Sequence, residues 1–448
     1  MNTVAVIGAG ITGLTAAYRL KERGIPVTVY EAGDHVGGVI RSLRENGYLA
    51  EFGPNSILET SPKIGALIKD LGLSDRCLVS LPTAENRYLV RGKKTVLLPT
   101  SPGKFFGTSL FSWRAKLRLL REPFIAPAPA DIEESVAQFV VRRLGQEFLD
   151  FAINPMVAGV YAGNPAKLSV KHAFPKLHAL EQKYGSLIKG QIRGAKERRQ
   201  RGDVSKQNAR KLSFDAGLQV LPDTLADRLG DALQLRTGIQ RIEQVTGGWR
   251  LNGEREHPAV LYTAPTHKLP AITGFKLDLL KEIYYPPVAS IVLGFRRDQV
   301  VHPLDGFGML IPQVEGFRIL GTLFSSSLFP NRAPAGHVAL TTYIGGARAP
   351  ELALKPTNEL IEMTLQDLGV ILGVTGRPTF EHVVVWPKAI PQYEVGYGRF
   401  KDLMTDIEKR APGMYFAGHY RDGISLGDSL VSGHDVAGRI AEFWKTRS

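Results

Sequence analysis

The first thirty residues combine a strand pattern with a helix pattern. The stretch TVAVIGAGITGLTAAYRLKERGIPVTVYEAG predicts an apolar strand from Thr3, a glycine-rich turn, a helix, and a second strand that ends at Glu31. Short apolar runs on both sides of a helix are typical of a βαβ unit. Near the other end, Met414 to Ala417 predicts another strand, again followed by a glycine turn and a helix.

The rest of the chain divides into strand-rich and helical parts. In the middle, LQLRTGIQRIEQV and GGWRLNG predict a hairpin, and Ala259 to Pro265 predicts a return to the core. VASIVLGF, FRILGTLF and VALTTYIG predict strands of a second domain. Residues 96–207 are predicted to be helical, as in DIEESVAQFVVRRLG, which starts at a cap and stops at Gly145.

One stretch, NPMVAGVYAGNPAKLS from Asn154 to Ser169, fits no simple element. Gly159 and Gly163 lie four apart, and prolines close the stretch on both sides. A helix would lose about 1 kcal/mol at each interior glycine. We therefore expect a small apolar turn marked by glycines.

Composition and charge limit the class of protein. A chain of 448 residues is too long for a single hydrophobic core, so we expect more than one domain. Hydrophobic residues make up 44% of it. Cys77 is the single cysteine, which excludes an internal disulfide. No run of 18 apolar residues occurs, and a strand pattern that begins at Thr3 leaves no room for a signal peptide. We therefore expect a cytoplasmic protein. The histidines show no metal-ligand spacing, so no metal is expected.

The net charge of +13 is concentrated in one tract, Lys189 to Lys211, which holds nine Lys/Arg against two Asp/Glu. Either a solvated helix face or a surface for an anionic partner explains this tract. Nucleic acid is not expected, because the tract lacks interleaved aromatic residues.

The glycine turns predict a dinucleotide site. Gly8, Gly10 and Gly13 have the GxGxxG spacing, which allows a tight turn, a close approach to a pyrophosphate, and close helix packing. Glu31 is placed for ribose hydroxyls. Three further features favour FAD over NAD, because they imply a discontinuous FAD domain. They are a second glycine pair, Gly37 and Gly38, followed by Val39 and Arg41; the EFGPNS turn; and the carboxy-terminal turn.

The chain resembles the protoporphyrinogen oxidase family of amine-oxidase-like flavoproteins over nearly its whole length. The resemblance is carried by GAGITGL, GPNS, ENRYLV, NPMVAGVYAGNPAKLS, SFDAGLQVLPDTLADRL, GFGMLIP, LGTLFSS, TTYIGG and FAGHYRDGISLGDSLVSG. It implies oxygen-dependent oxidation of protoporphyrinogen IX in haem biosynthesis, with hydrogen peroxide released. The alternatives are a flavoprotein coproporphyrinogen III oxidase, a more distant amine oxidase or desaturase, and a non-catalytic flavin-fold protein.

The resemblance also implies a fold and its division. We expect an α/β protein: a Rossmann-like, discontinuous FAD domain (1–80, 208–275 and 400–448), an α+β substrate domain with a mixed sheet (81–95 and 276–399), and a helical, membrane-associating domain (96–207). The cofactor residues expected are Gly8, Ala9, Gly10, Ile11, Thr12, Gly13, Glu31, Gly38, Val39, Arg41, Gly53, Pro54, Asn55, Ser56, Ile239, Gly418, His419, Ile424, Ser425 and Leu426.

The substrate cavity is expected from the same resemblance. Arg87 would pair with a propionate, Leu310 and Leu323 would hold the ring from two sides, and Tyr343 would stack on a pyrrole. Gly159, Tyr161 and Gly163 would leave room for an edge of the macrocycle. Asn55, in the GPNS turn, would face the flavin and the reacting methylene.

The expected partners are a porphyrinogen, molecular oxygen and an anionic membrane surface. Lys104 to Phe124 sets Phe105, Phe106 and Trp113 before cations at 114, 116, 118 and 121, a composition shared by interfacial segments; a core helix with exposed cations is the alternative. We therefore expect peripheral membrane association. A second copy of the chain and the next haem-pathway enzyme are further candidate partners.

Overall fold

A five-stranded parallel sheet joins three distant parts of the chain. The computed structural model describes residues 2–129, 131–201 and 209–447. Within them the strands are β1 (Val4–Ile7), β2 (Val27–Tyr30), β3 (Ser42–Glu45), β4 (Tyr48–Glu51), β5 (Ile57–Leu58), β6 (Cys77–Val79), β7 (Arg87–Arg91), β8 (Lys94–Leu97), β9 (Lys211–Phe214), β10 (Leu233–Gln234), β11 (Ile242–Val245), β12 (Gly248–Leu251), β13 (Arg255–His257), β14 (Ala259–Tyr262), β15 (Val288–Arg296), β16 (Gly308–Leu310), β17 (Ile319–Leu323), β18 (His337–Gly345), β19 (Phe380–Trp386) and β20 (Met414–Phe416).

The helices pack on the sheets and fill the segment between β8 and β9. They are α1 (Ile11–Glu22), α2 (Pro62–Asp70), α3 (Pro102–Gly107), α4 (Trp113–Leu119), α5 (Val136–Arg143), α6 (Gln146–Phe148), α7 (Asn154–Tyr161), α8 (Val170–Ala173), α9 (Pro175–Tyr184), α10 (Leu187–Arg201), α11 (Val220–Leu229), α12 (Leu269–Ile272), α13 (Ser325–Leu328), α14 (Thr357–Leu372), α15 (Gly398–Arg410) and α16 (Leu426–Lys445).

The parallel sheet has the order β10-β2-β1-β14-β20. Its strands are buried apolar runs, such as VAVI in β1 and AVLY in β14, because helices cover both faces of a parallel sheet. The expected α/β fold is confirmed, and the three contributing segments fall within the ranges predicted for the FAD domain. The predicted hairpin is also present, as the antiparallel pair β11–β12. The exact domain limits stay a prediction.

The second large sheet is mixed. Its order is β19-β15-β18-β17-β16-β7-β8, in which β16 and β7 are parallel and the other neighbours antiparallel. Three smaller sheets, β3-β4, β5-β9-β6 and β11-β12-β13, complete the described strands. The helix α14 covers one face of the mixed sheet, where Leu360 and Leu368 join the core formed by Ile291 and Leu340.

The helical region is held by buried ion pairs. Arg143, fully buried, pairs with Glu122 at 3.1 Å and with Glu181. Glu122 also accepts hydrogen bonds from the amides of Leu187 and Ile188, which satisfies the first turn of α10. Removing one member of such a buried pair typically costs about 3–5 kcal/mol, because the other charge is left without a partner.

The expectation for NPMVAGVYAG is wrong. Residues 154–161 form the helix α7, which continues a helical run from Gln146 through a π-helical turn at Leu149–Ile153. Ala162 then ends the helix with a left-handed backbone, φ +47°. Tertiary packing outweighs the helix propensity of glycine here, because a Cβ at Gly159 would overlap the side chain of Leu310.

Part of the predicted membrane segment is also corrected. Phe105 packs against Phe111 and Phe148 rather than projecting outward. Lys116 is buried and donates hydrogen bonds to the carbonyls of Phe106 and Thr108, so it is not a surface cation. The basic tract continues beyond the description: residues 202–208 lie outside the described residues, and the side chains of 195–201 are likewise not described.

The close contact of α16 with α1 yields a test. Gly433→Ala places a Cβ 2.5 Å from the Thr12 carbonyl oxygen, whereas Gly438→Ala, in the same helix, meets only Arg23 Nη1 at 3.9 Å. We expect Gly433→Ala to lower the free energy of unfolding by about 1–3 kcal/mol. Gly438→Ala should raise it by up to about 1 kcal/mol. Urea unfolding and bound flavin per chain measure both effects; equal behaviour of the two variants would contradict this packing.

Candidate active site

Two helix amino termini meet at one edge of the parallel sheet. The Thr12 hydroxyl of α1 donates to the Ser429 carbonyl of α16 at 3.1 Å, and Gly433 packs one turn further along both helices. The helices therefore run in the same direction. Ser425 caps α16 by accepting from the Asp428 amide. Unpaired amides and helix dipoles at both ends favour an anionic group at this edge.

The first glycine turn has the shape that a pyrophosphate needs. Gly8 has φ +105°, and a Cβ at Gly13 would overlap the Gly8 carbonyl oxygen, so both positions require glycine. At Gly10, by contrast, no heavy atom lies within 4 Å of the position of a Cβ. The backbone there borders open space. The Gly37 amide donates to the Ala9 carbonyl at 2.8 Å, which brings the second glycine pair against the first.

Glu31 closes the side of this turn. Its carboxylate accepts hydrogen bonds from the amides of Ala9 and Gly33, both at 2.8 Å. The chain from β10 passes beside it, since the Thr237 amide donates to the Glu31 carbonyl, and this places the partly buried Ile239 near the end of β2. A carboxylate with free lone pairs at this position can accept from ribose hydroxyls.

The GPNS turn contacts the mixed sheet. The Asn55 side-chain amide donates to the Tyr343 hydroxyl at 2.6 Å and to the Gly53 carbonyl at 3.2 Å. A Cβ at Gly53 would lie 2.6 Å from the Val39 carbonyl oxygen, so the turn packs directly on the residue that follows Gly37 and Gly38. Burial raises the pKa of Tyr343, which stays a neutral phenol. Asn55 and Tyr343, predicted separately, are therefore in contact.

His419 lies in the carboxy-terminal turn. Its carbonyl accepts from the Tyr393 hydroxyl, while its ring atom Nε2 is buried without a hydrogen-bond partner among the described residues. Burial lowers the pKa of His419 to about 4, so the ring is neutral near pH 7. Gly418, with φ +123°, precedes it and lies beside Thr12. An unpaired buried polar atom in this turn fits a cofactor with hydrogen-bonding groups.

The strand register places the predicted substrate residues on one face. Arg87 is opposite Gly308, which is opposite Leu323, and Leu310 is opposite Gly321, which is opposite Tyr343. Opposed residues, and residues two apart on one strand, share a face of a sheet. Arg87, Leu310, Leu323 and Tyr343 therefore lie on the face that α7 covers and that the GPNS turn touches.

Tyr161 and the two glycines of the α7 segment serve packing here. Tyr161 is buried, and its hydroxyl donates to the Ala173 carbonyl. Gly163 has the Gln392 side chain 2.7 Å from the place of a Cβ, so no open room remains there. Gly159 is exposed, although the direction of its Cβ is filled by Leu310. A role of these three residues in lining a cavity stays a prediction.

The remaining cofactor candidates follow the same edge. Ala9, Ile11 and Thr12 are buried in the first turn of α1 and the loop before it, whereas Gly38 and Val39 are exposed. The others are partly buried, and they are Arg41, Pro54, Ser56, Ile424, Ser425 and Leu426.

The sequence did not single out two further residues near this site. The charged groups of Arg87 and Lys211 lie over the ring of Phe307. The Tyr393 hydroxyl donates a hydrogen bond to the His419 carbonyl. In the sequence Lys211 is the last residue of the basic tract, and the stretch around Tyr393 matches no motif. The contact of Lys211 with Phe307 depends on strand pairing, and that of Tyr393 with His419 on the meeting of two loops, so neither has a local signal.

Comparisons with known proteins agree with this geometry. Residues 11–441 match the family model described as flavin containing amine oxidoreductase. The chain is 38% identical to protoporphyrinogen oxidase 2 of Arabidopsis thaliana, covering 99% of this chain and 95% of that one. It is 31% identical to coproporphyrinogen III oxidase of Bacillus subtilis (strain 168), with 96% of each covered. A crystal structure from Exiguobacterium sp. 255-15 shares the fold, with a TM-score of 0.82, 24% identity and 98% of each chain covered.

The fold, the paired helix ends and the family model define an FAD-dependent oxidoreductase. Within that class the chain belongs to the protoporphyrinogen oxidase family, as its identity to the full-length plant enzyme shows.

Two features are absent from the described residues. No group of three or more His, Cys, Asp or Glu side chains is arranged to hold a metal ion in residues 2–129, 131–201 and 209–447. In the same part of the chain, every helix is too short or too polar to cross a bilayer.

The buried His419 predicts an acid-sensitive step. Its folded-state pKa of about 4 lies below the ordinary 6.5, so between these values the unfolded chain binds a proton that the folded chain does not. The free energy of unfolding therefore falls as the pH drops through this window, by about 2 kcal/mol at pH 5. Urea unfolding of the holoenzyme at pH 7 and pH 5 should show this loss reduced in His419→Gln. An equal loss in both proteins would show that His419 is not held neutral.

Proposed function

We propose that the protein oxidises protoporphyrinogen IX to protoporphyrin IX with molecular oxygen as the acceptor. The observation that carries the proposal is the strand register, which sets Arg87, Leu310, Leu323 and Tyr343 on one face beside the GPNS turn. The names of the relatives support a tetrapyrrole substrate, since they include protoporphyrinogen oxidases and coproporphyrinogen III oxidases.

This face has the chemistry of a porphyrinogen site. The substrate is a large, nearly apolar macrocycle with carboxylate arms, so its pocket needs apolar walls and a cation. Leu310 and Leu323 supply apolar surface, and both are only partly buried. Arg87 is half-buried at the start of β7, and it makes no side-chain hydrogen bond or ion pair with another described residue. A guanidinium in that state is available to a propionate.

The chain's own residues would bind and orient the macrocycle. Bound FAD supplies the acceptor for the two electrons and the hydrogen removed in each step. Three such steps remove six hydrogens as three hydrides and three protons; in total four come from the bridging carbons and two from pyrrole nitrogens. Asn55 donates a hydrogen bond to Tyr343 where the GPNS turn meets the mixed sheet, so the two side chains would fix one wall of the reaction site. Molecular oxygen would then accept the two electrons and two protons of each step and become hydrogen peroxide.

Coproporphyrinogen III is the second candidate substrate. It carries four propionates where protoporphyrinogen IX has two, so cations beyond a pair favour it. Lys211 lies over the same Phe307 ring as Arg87, and this pair matches two carboxylates, which either substrate supplies. A homodimer, transfer of product to the next enzyme and a cytoplasmic location stay predictions from the sequence.

Anaerobic mixing tests the function. Protoporphyrinogen IX should bleach the visible absorbance of the bound flavin within the turnover time, and oxygen should restore it with one hydrogen peroxide per bleaching cycle. Coproporphyrinogen III under the same conditions measures the preference between the two substrates, and a primary amine serves as the control for an amine oxidase. Flavin that neither porphyrinogen bleaches would refute the proposal.

A membrane surface is proposed as a further partner. Trp113, Leu117, Leu120 and Phe124 are 65%, 59%, 58% and 86% exposed, at spacings of four, three and four residues along α4 and the turn after it. These spacings place Trp113, Leu117 and Leu120 along one side of α4, and Phe124 follows in the next turn. Arg114 and Arg121, also exposed, lie in the same segment. An apolar stripe with neighbouring cations suits an anionic lipid surface.

Vesicle flotation tests the stripe. Binding to anionic vesicles should exceed binding to neutral ones, should fall with salt, and should drop at least about tenfold when Trp113, Leu117, Leu120 and Phe124 become Ser. A matched control replaces Val301 and Val314, which are exposed outside the helical region, by Ser. Equal recovery of all proteins in the unbound fraction would contradict membrane association.

A further inference from the structure

Lys211 lies on the cofactor side of the proposed substrate site. It is the first residue of β9 and is opposite Leu58 of β5, a strand that begins two residues after Asn55. The GPNS turn that contacts Tyr343 therefore leads directly into the strand paired with Lys211. Lys211 and Arg87 belong to different sheets, and only the folded chain brings them together.

One aromatic ring joins the two cations. The guanidinium carbon of Arg87 lies 5.9 Å from the centre of the Phe307 ring, and the Lys211 ammonium nitrogen lies 5.8 Å from it. Phe307 packs with Leu323 on a small core that includes Ala84 and Leu328. The ring under the two positive charges thus packs on the same small core as the leucine that is proposed to hold the macrocycle.

Both cations are half-buried, and neither makes a side-chain hydrogen bond or ion pair with another described residue. Burial lowers the pKa of each, and the charge of Arg87 lowers the pKa of Lys211 further. The exposed Glu85 acts in the opposite direction on Lys211, without a contact ion pair. Two neighbouring like charges with incomplete solvation repel each other, and a ligand with two carboxylates relieves this repulsion.

We infer that Lys211 binds a second carboxylate of the substrate, next to the one held by Arg87. The inference rests on the proposed function and adds a specificity-determining residue to that site. In a porphyrinogen of the IX series, two propionates stand on adjacent pyrrole rings and leave the macrocycle on the same edge. A pair of cations over one ring matches such an edge, whereas a single arginine would bind either arm alone.

The arrangement implies selection by charge at one edge. A macrocycle with two adjacent free carboxylates gains both contacts, and one whose carboxylates are esterified gains neither. Lys211 would act in binding rather than in the oxidation step, because its ammonium reaches an arm of the substrate and not the reacting carbon. Its loss should therefore raise KM and leave kcat nearly unchanged.

The test measures binding separately from activity. Fluorescence titration of the holoenzyme with protoporphyrin IX should give a Kd about tenfold higher for Lys211→Met than for the unchanged protein, and Lys211→Arg should restore much of the affinity. Methionine keeps the length and the apolar contact with Phe307. The dimethyl ester of protoporphyrin IX should bind the unchanged protein and Lys211→Met equally. Arg87→Met is the positive control.

Arg210→Gln is the matched charge control, because Arg210 adjoins Lys211 but pairs with Glu59 at the surface. The inference is overturned if Lys211→Met binds protoporphyrin IX as tightly as the unchanged protein while Arg87→Met is weakened. It is also overturned if Arg210→Gln weakens binding as much as Lys211→Met. Failure of the proposed function is a separate outcome, since unchanged protein would then show no flavin bleaching by either porphyrinogen.

Discussion

The contact between α1 and α16 is the constraint on which the rest of the structure depends. It joins the first and last parts of the 448 residues at a small residue, because a Cβ at Gly433 would lie 2.5 Å from the Thr12 carbonyl oxygen. Because the two helices pack closely and run in the same direction, their amino termini lie side by side. The anion-binding edge therefore forms only when the chain ends meet, which ties cofactor binding to completion of the fold.

Polar contacts join β4 and the GPNS turn to the mixed sheet. Besides the Asn55–Tyr343 bond, the Trp386 indole donates to the Phe52 carbonyl at 2.9 Å, and Tyr48 bonds Thr379 at 2.7 Å. All three contacts connect the strands and turn at residues 48–55 to the mixed sheet. A reaction that depends on orienting a large substrate against a cofactor needs such a junction, since a small displacement between the two walls changes the reacting distance.

Local motifs predicted the glycine turn and the start of α1 correctly because the physical requirements of these elements are local. GxGxxG and the strand before it specify a tight turn and a helix start within ten residues, and the structure has both at Gly8 to Gly13. The α7 segment was predicted wrongly because its glycines were weighed only as helix breakers. In the folded chain Gly159 admits Leu310, a residue about 150 positions away, and this packing outweighs the intrinsic penalty. The predicted exposure of Phe105 and Lys116 is also wrong, because packing and hydrogen bonds in the folded chain cover these two side chains.

The sequence by itself determined the strand–turn–helix units of the parallel core and the turns at its edge, since these follow from residue types at short spacing; the family followed from the resemblance of motifs along the chain. Tertiary structure alone decided which side chains share the face proposed for the substrate. Arg87, Leu310, Leu323 and Tyr343 come from four strands, and a shift of one residue in any register would turn its side chain to the opposite face. It also decided that Lys211, one of nine cations in a basic tract, stands over Phe307 beside Arg87. Strand pairing between distant segments fixes such positions, and residue spacing along the chain carries no record of it.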